Sequence, residues 1–196
     1  MNKLTKVALA ALVFTLSGCG INNIPRFDEQ VNAAWSEIQN QYKRRADLVP
    51  NLVATVKGFA AQERETLTAV VEARSKVAQM QVTPDVLTNP AAFKAFEQNQ
   101  ATLSGALSRL MLVVERYPDL KSNQNFLALQ SQLEGTENRI AVARRDYIQA
   151  VQQYNTEIRT IPGRWWAALM YPDAKVKENF SAPASENVEK TPEVKF

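Results

Sequence analysis

The sequence predicts an all-α fold, an elongated up-and-down antiparallel bundle of four helical segments. Apolar residues recur every three or four positions over long stretches, as they do on one face of an α-helix. Long helical repeats dominate the 196-residue sequence, and we find no strand signal in it. Only six glycines interrupt it, and short connections between long helices make consecutive helices antiparallel neighbours.

The first apolar stripe runs from Val31 to Met80 and is interrupted by Pro50. Two interpretations are open. Asp47 caps a new helix with Pro50 in its first turn, or one long helix is kinked at Pro50. The stripe keeps its phase across the proline, which favours a kink or a very short break. The first two segments are therefore two helices divided near Pro50, or one kinked helix.

Two further segments complete the predicted bundle. Asn89 provides an N-cap and Pro90 the first helical position of the third segment, which is a strong start signal. Pro118 ends that segment. The fourth begins near Ser122, follows a stripe that is out of phase with the preceding one, and ends before Pro162. The change of phase predicts a true reversal of the chain between the last two helices.

The N-terminus has the pattern of a lipoprotein signal peptide, residues 1–18. Two lysines precede an apolar run from Val7 to Leu16, which is shorter than the roughly 20 residues of a transmembrane helix. The run ends in Leu-Ser-Gly-Cys, which is typical of a lipobox, and Cys19 is the only cysteine. We expect cleavage before Cys19 and lipidation of its thiol. The alternative is an ordinary secretory signal with a cysteine there by chance.

Lipidation of Cys19 would fix the location of the protein. Two or more acyl chains anchor a protein stably to a membrane, and residues 19–26 form a short tether that holds the bundle close to it. An aspartate after the cysteine would resemble an inner-membrane retention signal, but Gly20 stands there. We therefore predict a cell-envelope protein, on the outer membrane and facing the periplasm if the cell has two membranes.

Charge and composition exclude several functions. The chain has 23 basic and 20 acidic residues, and loss of Lys3 and Lys6 with the signal leaves 21 against 20. Such a balance predicts no nucleic-acid partner. The absence of histidine removes the usual Ser-His-Asp and Cys-His catalytic groups and the histidine ligands of di-iron bundles. No glycine-rich phosphate loop is present. We predict no enzymatic activity, no metal and no cofactor.

Polar residues within the apolar stripes are the first candidates for a site. They are Arg45, Glu63, Gln100 and Thr136. One interpretation is that they pair across the bundle and set its register, as polar residues do in coiled coils. The other is that they line a polar pocket or ligand channel, because such groups need partners when buried.

Charged residues cluster at three places: Arg44 and Arg45 with Asp47; Arg144 and Arg145 with Asp146; and Asp119 with Lys121. The first two clusters predict interhelical salt bridges and a helix cap, or a docking surface for a partner or anionic head groups. The third is a helix stop and turn, or a contact point at the tip of the bundle.

The segment 163–180 contains the most apolar stretch outside the bundle, including Trp165 and Trp166. It packs across an open groove or end of the bundle, or it inserts into a membrane interface, where tryptophan is favoured. Residues 181–196 are polar and contain two prolines, which predicts a disordered tail.

Several motifs resemble the LemA family, and together they cover roughly residues 27–162. They are Asn32 to Trp35, Gln41 to Val53, Val56 to Phe59, Tyr117 to Asn123, Thr136 to Ala141, Ala143 to Arg145 and Tyr154 to Thr156. The resemblance implies a four-helix-type bundle exposed outside the cytoplasmic membrane, and magnetosome relatives imply roles in membrane organisation. Many members have an N-terminal transmembrane helix where this chain has a lipobox. Asn138, within one motif, joins the candidate interaction or register residues.

The sequence thus predicts a membrane-anchored envelope lipoprotein that acts as a non-enzymatic scaffold or protein-interaction module. The alternative is a ligand- or lipid-binding bundle involved in membrane organisation. The expected partners are the membrane, through the N-terminal lipid, and an envelope protein or a second copy of the chain.

Overall fold

The computed structural model describes residues 20–80 and 83–180 of the chain. These residues are predominantly helical and contain no strand, which confirms the predicted all-α class. The helices are α1 (Asn23–Phe59), α2 (Arg64–Gln79), α3 (Pro90–Val114), α4 (Pro118–Lys121), α5 (Gln124–Arg159) and α6 (Gly163–Met170), with a 3-10 turn at Pro84–Thr88.

The four long helices α1, α2, α3 and α5 run alternately up and down. α1 packs along α5 over the greatest length, and α2 packs against both α1 and α3. The start of α1 meets the end of α5, where Asn23 Nδ2 donates to Glu157 Oε1 at 3.2 Å. α3 and α5 approach each other less closely than the other neighbouring helices do. One long side of the bundle, the α3–α5 seam, is therefore the most open.

α1 continues through Pro50, so a new helix capped by Asp47 is the wrong interpretation. The division between the first two segments lies at residues 60–63 instead. Proline has no N–H, and it leaves the carbonyl of the residue four positions earlier without its helical donor. That carbonyl belongs to Ala46, and Arg74 Nε of α2 donates to it at 2.9 Å. A side chain from the neighbouring helix thus replaces the missing hydrogen bond.

The helix ends follow local capping chemistry. Asn89 Oδ1 accepts bonds from the two N–H groups that follow Pro90, at 3.0 and 3.1 Å, so the predicted N-cap is confirmed. α3 ends at Val114, and Pro118 begins the short helix α4 as well as closing the preceding turn. Asn123 caps α5 by accepting from the backbone of Phe126 at 3.1 Å.

The core is divided into two clusters. The lower cluster, near the start of α1, is aromatic and contains Trp35, Phe93, Phe96 and Tyr147. The rings of Trp35 and Phe96 lie 4.9 Å apart, close to the preferred spacing of aromatic pairs. The upper cluster is aliphatic apart from Phe126. The division falls where α1 carries Arg45, so a charged side chain separates two apolar regions.

Candidate functional site

A layer of polar side chains separates the two core clusters, and we call Arg45, Gln100, Ser104 and Glu137 the polar layer. Arg45 is only 1% exposed. Its Nη1 donates to Ser104 Oγ at 2.6 Å and to Glu137 Oε1 at 3.0 Å. Its Nη2 donates to the side-chain and main-chain oxygens of Gln100 at 2.7 and 3.2 Å. One arginine of α1 thus joins α3 and α5.

The charge of Arg45 is balanced at the edge of the bundle. The Glu137 side chain is 42% exposed, so its carboxylate keeps contact with water while it pairs with the buried guanidinium. The guanidinium carbon also lies 4.9 Å from the centre of the Tyr42 ring, whose face attracts a cation. Burial raises the pKa of the Tyr42 phenol, which keeps this ring neutral. A buried charge needs such partners to be tolerated.

The four polar stripe residues do not form one site. Arg45 and Gln100 bond across the bundle, as the register interpretation expects. Thr136 Oγ1 accepts from Arg139 of the same helix at 2.9 Å. Glu63 lies at the upper end, beyond the upper cluster. Arg45 and Gln100 thus form the polar pair, whereas Thr136 and Glu63 each make contacts of their own. None of the four residues lines the groove described below.

Glu63 holds the turn between α1 and α2 against the turn after α3. The phenol of Tyr117 donates to Glu63 Oε1 at 2.8 Å, and Arg116 Nη2 lies 3.1 Å from the same oxygen. Donation to the carboxylate raises the pKa of the Tyr117 phenol. These contacts tie two successive connections together at the upper end of the bundle.

Other predicted contact residues lie on the surface. Asp119 and Lys121 are exposed on α4, and Lys121 pairs with the equally exposed Glu115. Arg44 and Asp47 are exposed on α1, beside the groove between α1 and α5. Exposed ion pairs contribute little to stability, so these positions are available for contacts with other molecules.

The open α3–α5 seam forms a groove of about 490 Å³ beside the polar layer. Its walls combine apolar side chains with polar ones. They are Ser104, Leu107, Ser108 and Met111 of α3, and Gln130, Leu133, Glu134, Glu137 and Asn138 of α5. Asn138, a predicted interaction residue, therefore belongs to the groove wall, next to the carboxylate that pairs with Arg45.

The chain itself covers the lower half of this seam. Residues 171–180, which we call the strap, follow α6 in a non-helical conformation. The phenol of Tyr147 donates to the Glu178 carbonyl at 2.8 Å, and the Glu178 N–H donates to the Leu87 carbonyl at 2.7 Å. Asn155 exchanges two hydrogen bonds with the backbone of Lys177, at 2.8 and 2.9 Å. The strap is thereby fixed to α5 and to the turn before α3.

Lys177 is the buried charge of the strap. Its Nζ lies 2.6 Å from Asp28 Oδ1 on α1 and 5.2 Å from the centre of the Tyr154 ring. Burial, with a smaller contribution from the Asp28 carboxylate, raises the pKa of Tyr154 to about 12. The strap thus contacts α1 as well as α5, and it closes the lower end of the bundle.

Phe180 marks the upper end of the strap. Its ring lies 5.1 Å from that of Phe93 on α3 and 5.5 Å from that of Tyr147 on α5, between the two helices that border the seam. The guanidinium of Arg144 lies 4.3 Å from the centre of the Phe180 ring. The described strap therefore ends inside the α3–α5 seam.

The Arg144-Arg145 cluster differs from the expected interhelical salt bridges. Arg144 stacks on Phe180, and Arg145 Nε lies 3.5 Å from the carboxylate of its neighbour Asp146 on the same helix. Within the described ranges, the ion pair that joins two long helices is the one between Arg45 and Glu137. Only the first of the two arginine clusters therefore contributes to contacts between helices.

The paired tryptophans separate into two environments. Trp166 is partly buried and packs against the lower cluster, as the packing interpretation expects. Trp165 is 61% exposed and faces away from the bundle. Residues 1–19, with the predicted signal peptide and Cys19, and residues 181–196 lie outside the described residues, so their predicted roles stay predictions. Residues 23–26 of the predicted tether form the first turn of α1.

Sequence reasoning missed Ser104, Glu137 and Lys177. Ser104 stands four residues after Gln100, on the same helix face, and this spacing is a signal that could have found it. Glu137 lies inside a motif quoted for the family resemblance, directly before Asn138. Lys177 follows no periodic pattern, and its burial depends on the path of the strap.

Two general findings concern residues 20–80 and 83–180. No group of three or more histidine, cysteine, aspartate or glutamate side chains in these ranges is arranged to hold a metal ion. Likewise, no helix within them combines the length and the apolar character needed to cross a membrane.

The fold and the polar layer define the class of protein, an up-and-down helical bundle whose core is divided by a charged layer. The chain belongs to the LemA family, whose family model matches residues 34–196. The match continues past residue 162 and so includes α6 and the strap.

Several curated relatives are similar to this chain. Protein LemA of Metamycoplasma hominis is 27% identical over 139 residues, 71% of this chain and 59% of that protein. Magnetosome protein MamQ 2 of Paramagnetospirillum magneticum is 28% identical over 164 residues, 76% of this chain and 60% of that protein. Magnetosome protein MamQ of Magnetospirillum gryphiswaldense is 26% identical over 211 residues, 99% of this chain and 76% of that protein. The chain thus spans only about three fifths of the first two relatives.

Proposed function

We propose that this protein is a non-enzymatic scaffold of the cell envelope, held at a membrane by lipidated Cys19, whose bundle binds a protein partner or a second copy. The lipobox pattern and the absence of histidine support the anchor and the lack of catalysis. The names of the magnetosome relatives are in keeping with a structural role at a membrane.

One observation carries the binding role, the half-filled α3–α5 seam. Its lower half holds the strap, whose main-chain groups bond to the bundle while Phe180 packs between two helices. Its upper half has walls of the same mixed character. A seam that already takes one non-helical segment of the chain suits a second such segment from a partner, with apolar side chains facing Leu107 and Leu133.

The bundle interior gives less support to the alternative function, ligand or lipid binding. Arg45 donates to Gln100, Ser104 and Glu137 through both of its terminal nitrogens, although its buried Nε has no hydrogen-bond partner among the described residues. Polar groups with protein partners gain little from a ligand, because the bonds they would exchange are already made. The solvent-facing groove is the better candidate for recognition.

In-cell photo-crosslinking tests the proposal. A photoreactive amino acid replaces Ser108 or Gln130, which line the groove, or the neighbouring exposed Arg109 or Ala128, which do not. We expect a discrete protein adduct, or a crosslinked dimer, from the first two positions only. Equal adducts from all four positions, or none from the groove positions, would contradict the binding role.

A further inference from the structure

Exposed apolar residues concentrate at the lower end of the bundle. Ile161, Trp165, Leu169 and Met170 are all exposed, and Leu169 reaches 74%. Trp165 and Leu169 stand four residues apart and so share one face of α6. Exposed large apolar residues elsewhere in the described ranges stand well apart in sequence from one another. Single apolar residues are normal on a surface, whereas clustered ones indicate an interaction site. We call these four residues, which lie within ten consecutive positions of the chain, the patch.

This patch is held in place by the opposite face of α6. Trp166 and Ala167 pack against the lower cluster. The approach is so close that a Cβ on Gly163 would lie 2.2 Å from the carbonyl oxygen of Glu157. The inner face of α6 is therefore packed against the bundle, while its apolar outer face is exposed to solvent.

The patch lies at the end of the bundle where the described chain begins. A Cβ built on Gly20 would lie 3.9 Å from Glu157 Oε1, and one built on Gly163 would lie 2.9 Å from the same oxygen. Gly20 directly follows Cys19 in the sequence. The residue that precedes the bundle and the helix that carries the patch thus meet at one carboxylate.

Charge around the patch favours a negatively charged surface. Residues 157–175 contain three basic residues, Arg159, Arg164 and Lys175, all exposed. The acidic residues of this range are the exposed Asp173 and the half-buried Glu157, whose carboxylate accepts a hydrogen bond from Asn23. Basic side chains close to a membrane are attracted to anionic lipid head groups. Tryptophan beside such residues is the composition found at membrane interfaces.

We propose that α6 is a second membrane contact, in which Ile161, Trp165, Leu169 and Met170 enter the interface of an anionic phospholipid bilayer. The inference rests on the proposed function, because it places the lipid on Cys19 and the patch on the same membrane. Two or more acyl chains on Cys19 would already anchor the protein stably, and the patch adds an apolar contact with the same membrane. The contact also fixes the orientation of the bundle, with its long axis pointing away from the bilayer and the upper end outermost.

Vesicle binding without the anchor tests this inference. The chain from residue 19 with Cys19→Ser contains all of residues 20–180, from which the bundle is built. It is mixed with vesicles of phosphatidylglycerol and phosphatidylcholine and sedimented. We expect binding that rises with the phosphatidylglycerol content and falls about tenfold or more in the double variant Trp165→Ala/Leu169→Ala. Lipids brominated on the acyl chains should quench fluorescence in the parent chain, and less in Trp165→Phe.

The matched control is Leu112→Ala/Leu127→Ala, which removes two exposed leucines distant in sequence from α6. Circular dichroism checks that each variant is folded, and binding of the control should stay within about twofold of the parent. The inference is overturned if folded parent chain does not bind anionic vesicles, or if the α6 variant binds equally well. Loss of a dimer in the α6 variant, without vesicle binding by the parent, would assign the patch to a second copy instead.

The anchor is tested separately. Acylation of the native chain is measured by incorporation of labelled fatty acid, with Cys19→Ser as the negative control. If the native chain is labelled but the chain with Cys19→Ser does not bind vesicles, the α6 contact alone is overturned. If the native chain is not labelled but the chain with Cys19→Ser binds vesicles, the proposed anchor alone is overturned.

Discussion

Replacing Arg45 by methionine tests whether the polar layer holds the bundle together. Methionine keeps the unbranched shape and fills much of the same space, but it has no donor. The substitution leaves the side-chain oxygen of the buried Gln100 without the 2.7 Å bond that it accepts. It also removes the 2.6 Å bond to Ser104 and the ion pair with Glu137.

The expected loss follows from how far each partner is buried. A buried acceptor left without a donor costs about 1–3 kcal/mol, and Gln100 falls in this class. Glu137 is half exposed and regains water, so its share is small. The buried methionine side chain contributes about 1 kcal/mol of favourable apolar transfer free energy, which offsets part of this loss. We therefore expect the free energy of unfolding to fall by about 1–2 kcal/mol, against the 5–15 kcal/mol typical of a domain.

Urea denaturation followed by circular dichroism measures this loss. Arg44→Met is the matched control, because Arg44 is the exposed neighbour, and it should change stability by less than about 0.5 kcal/mol. The double variant Arg45→Met/Gln100→Leu removes both members of the pair and should recover most of the loss. Equal stabilities of Arg45→Met and Arg44→Met would refute the reasoning.

Three further predictions concern the rest of the bundle. Arg74→Met should cost about 1 kcal/mol in urea denaturation, and clearly less in a Pro50→Ala background, where the restored N–H bonds to the same carbonyl. Gly163→Ala should destabilise the docking of α6 by about 1–3 kcal/mol, because the alanine Cβ would lie 2.2 Å from the carbonyl oxygen of Glu157. The rate of proteolysis in the connection before α6 measures this loss and should rise. Folding raises the pKa of Tyr154 from 10.0 to about 12. The phenol therefore ionises first in the unfolded chain, and the free energy of unfolding falls as the pH rises from about 10 to 12. Thermal melts across this pH range, with Tyr154→Phe as the control, check the sign of this change.

The sequence allowed the long helices to be predicted, because their apolar stripes and the cap at Asn89 are local signals. The break between α1 and α2 was misplaced for a physical reason. Pro50 is the strongest local break signal in the first stripe, yet Arg74 supplies the bond that it removes. The stripe itself keeps its phase from Val56 to Val70 across the true turn, so periodicity gave no sign of it.

Less of the candidate site could be predicted. Arg45 stood out because a charged residue occupied an apolar stripe, but its partner Glu137 lies on another helix, and no local pattern links the two. One interpretation of the segment 163–180 was packing on the bundle, and it is right for Trp166 of α6 and Phe180 of the strap. The burial of Lys177 depends on Asp28, which is distant in sequence. Contacts between distant segments require the fold itself.

The attachment of the bundle to a membrane through Cys19 is the central claim, and the intact mass of the protein extracted from membranes tests it most directly. The account predicts a polypeptide that begins at Cys19 and carries the added mass of acyl chains on that residue. A chain that begins elsewhere, or a mature chain with an unmodified Cys19, would contradict it.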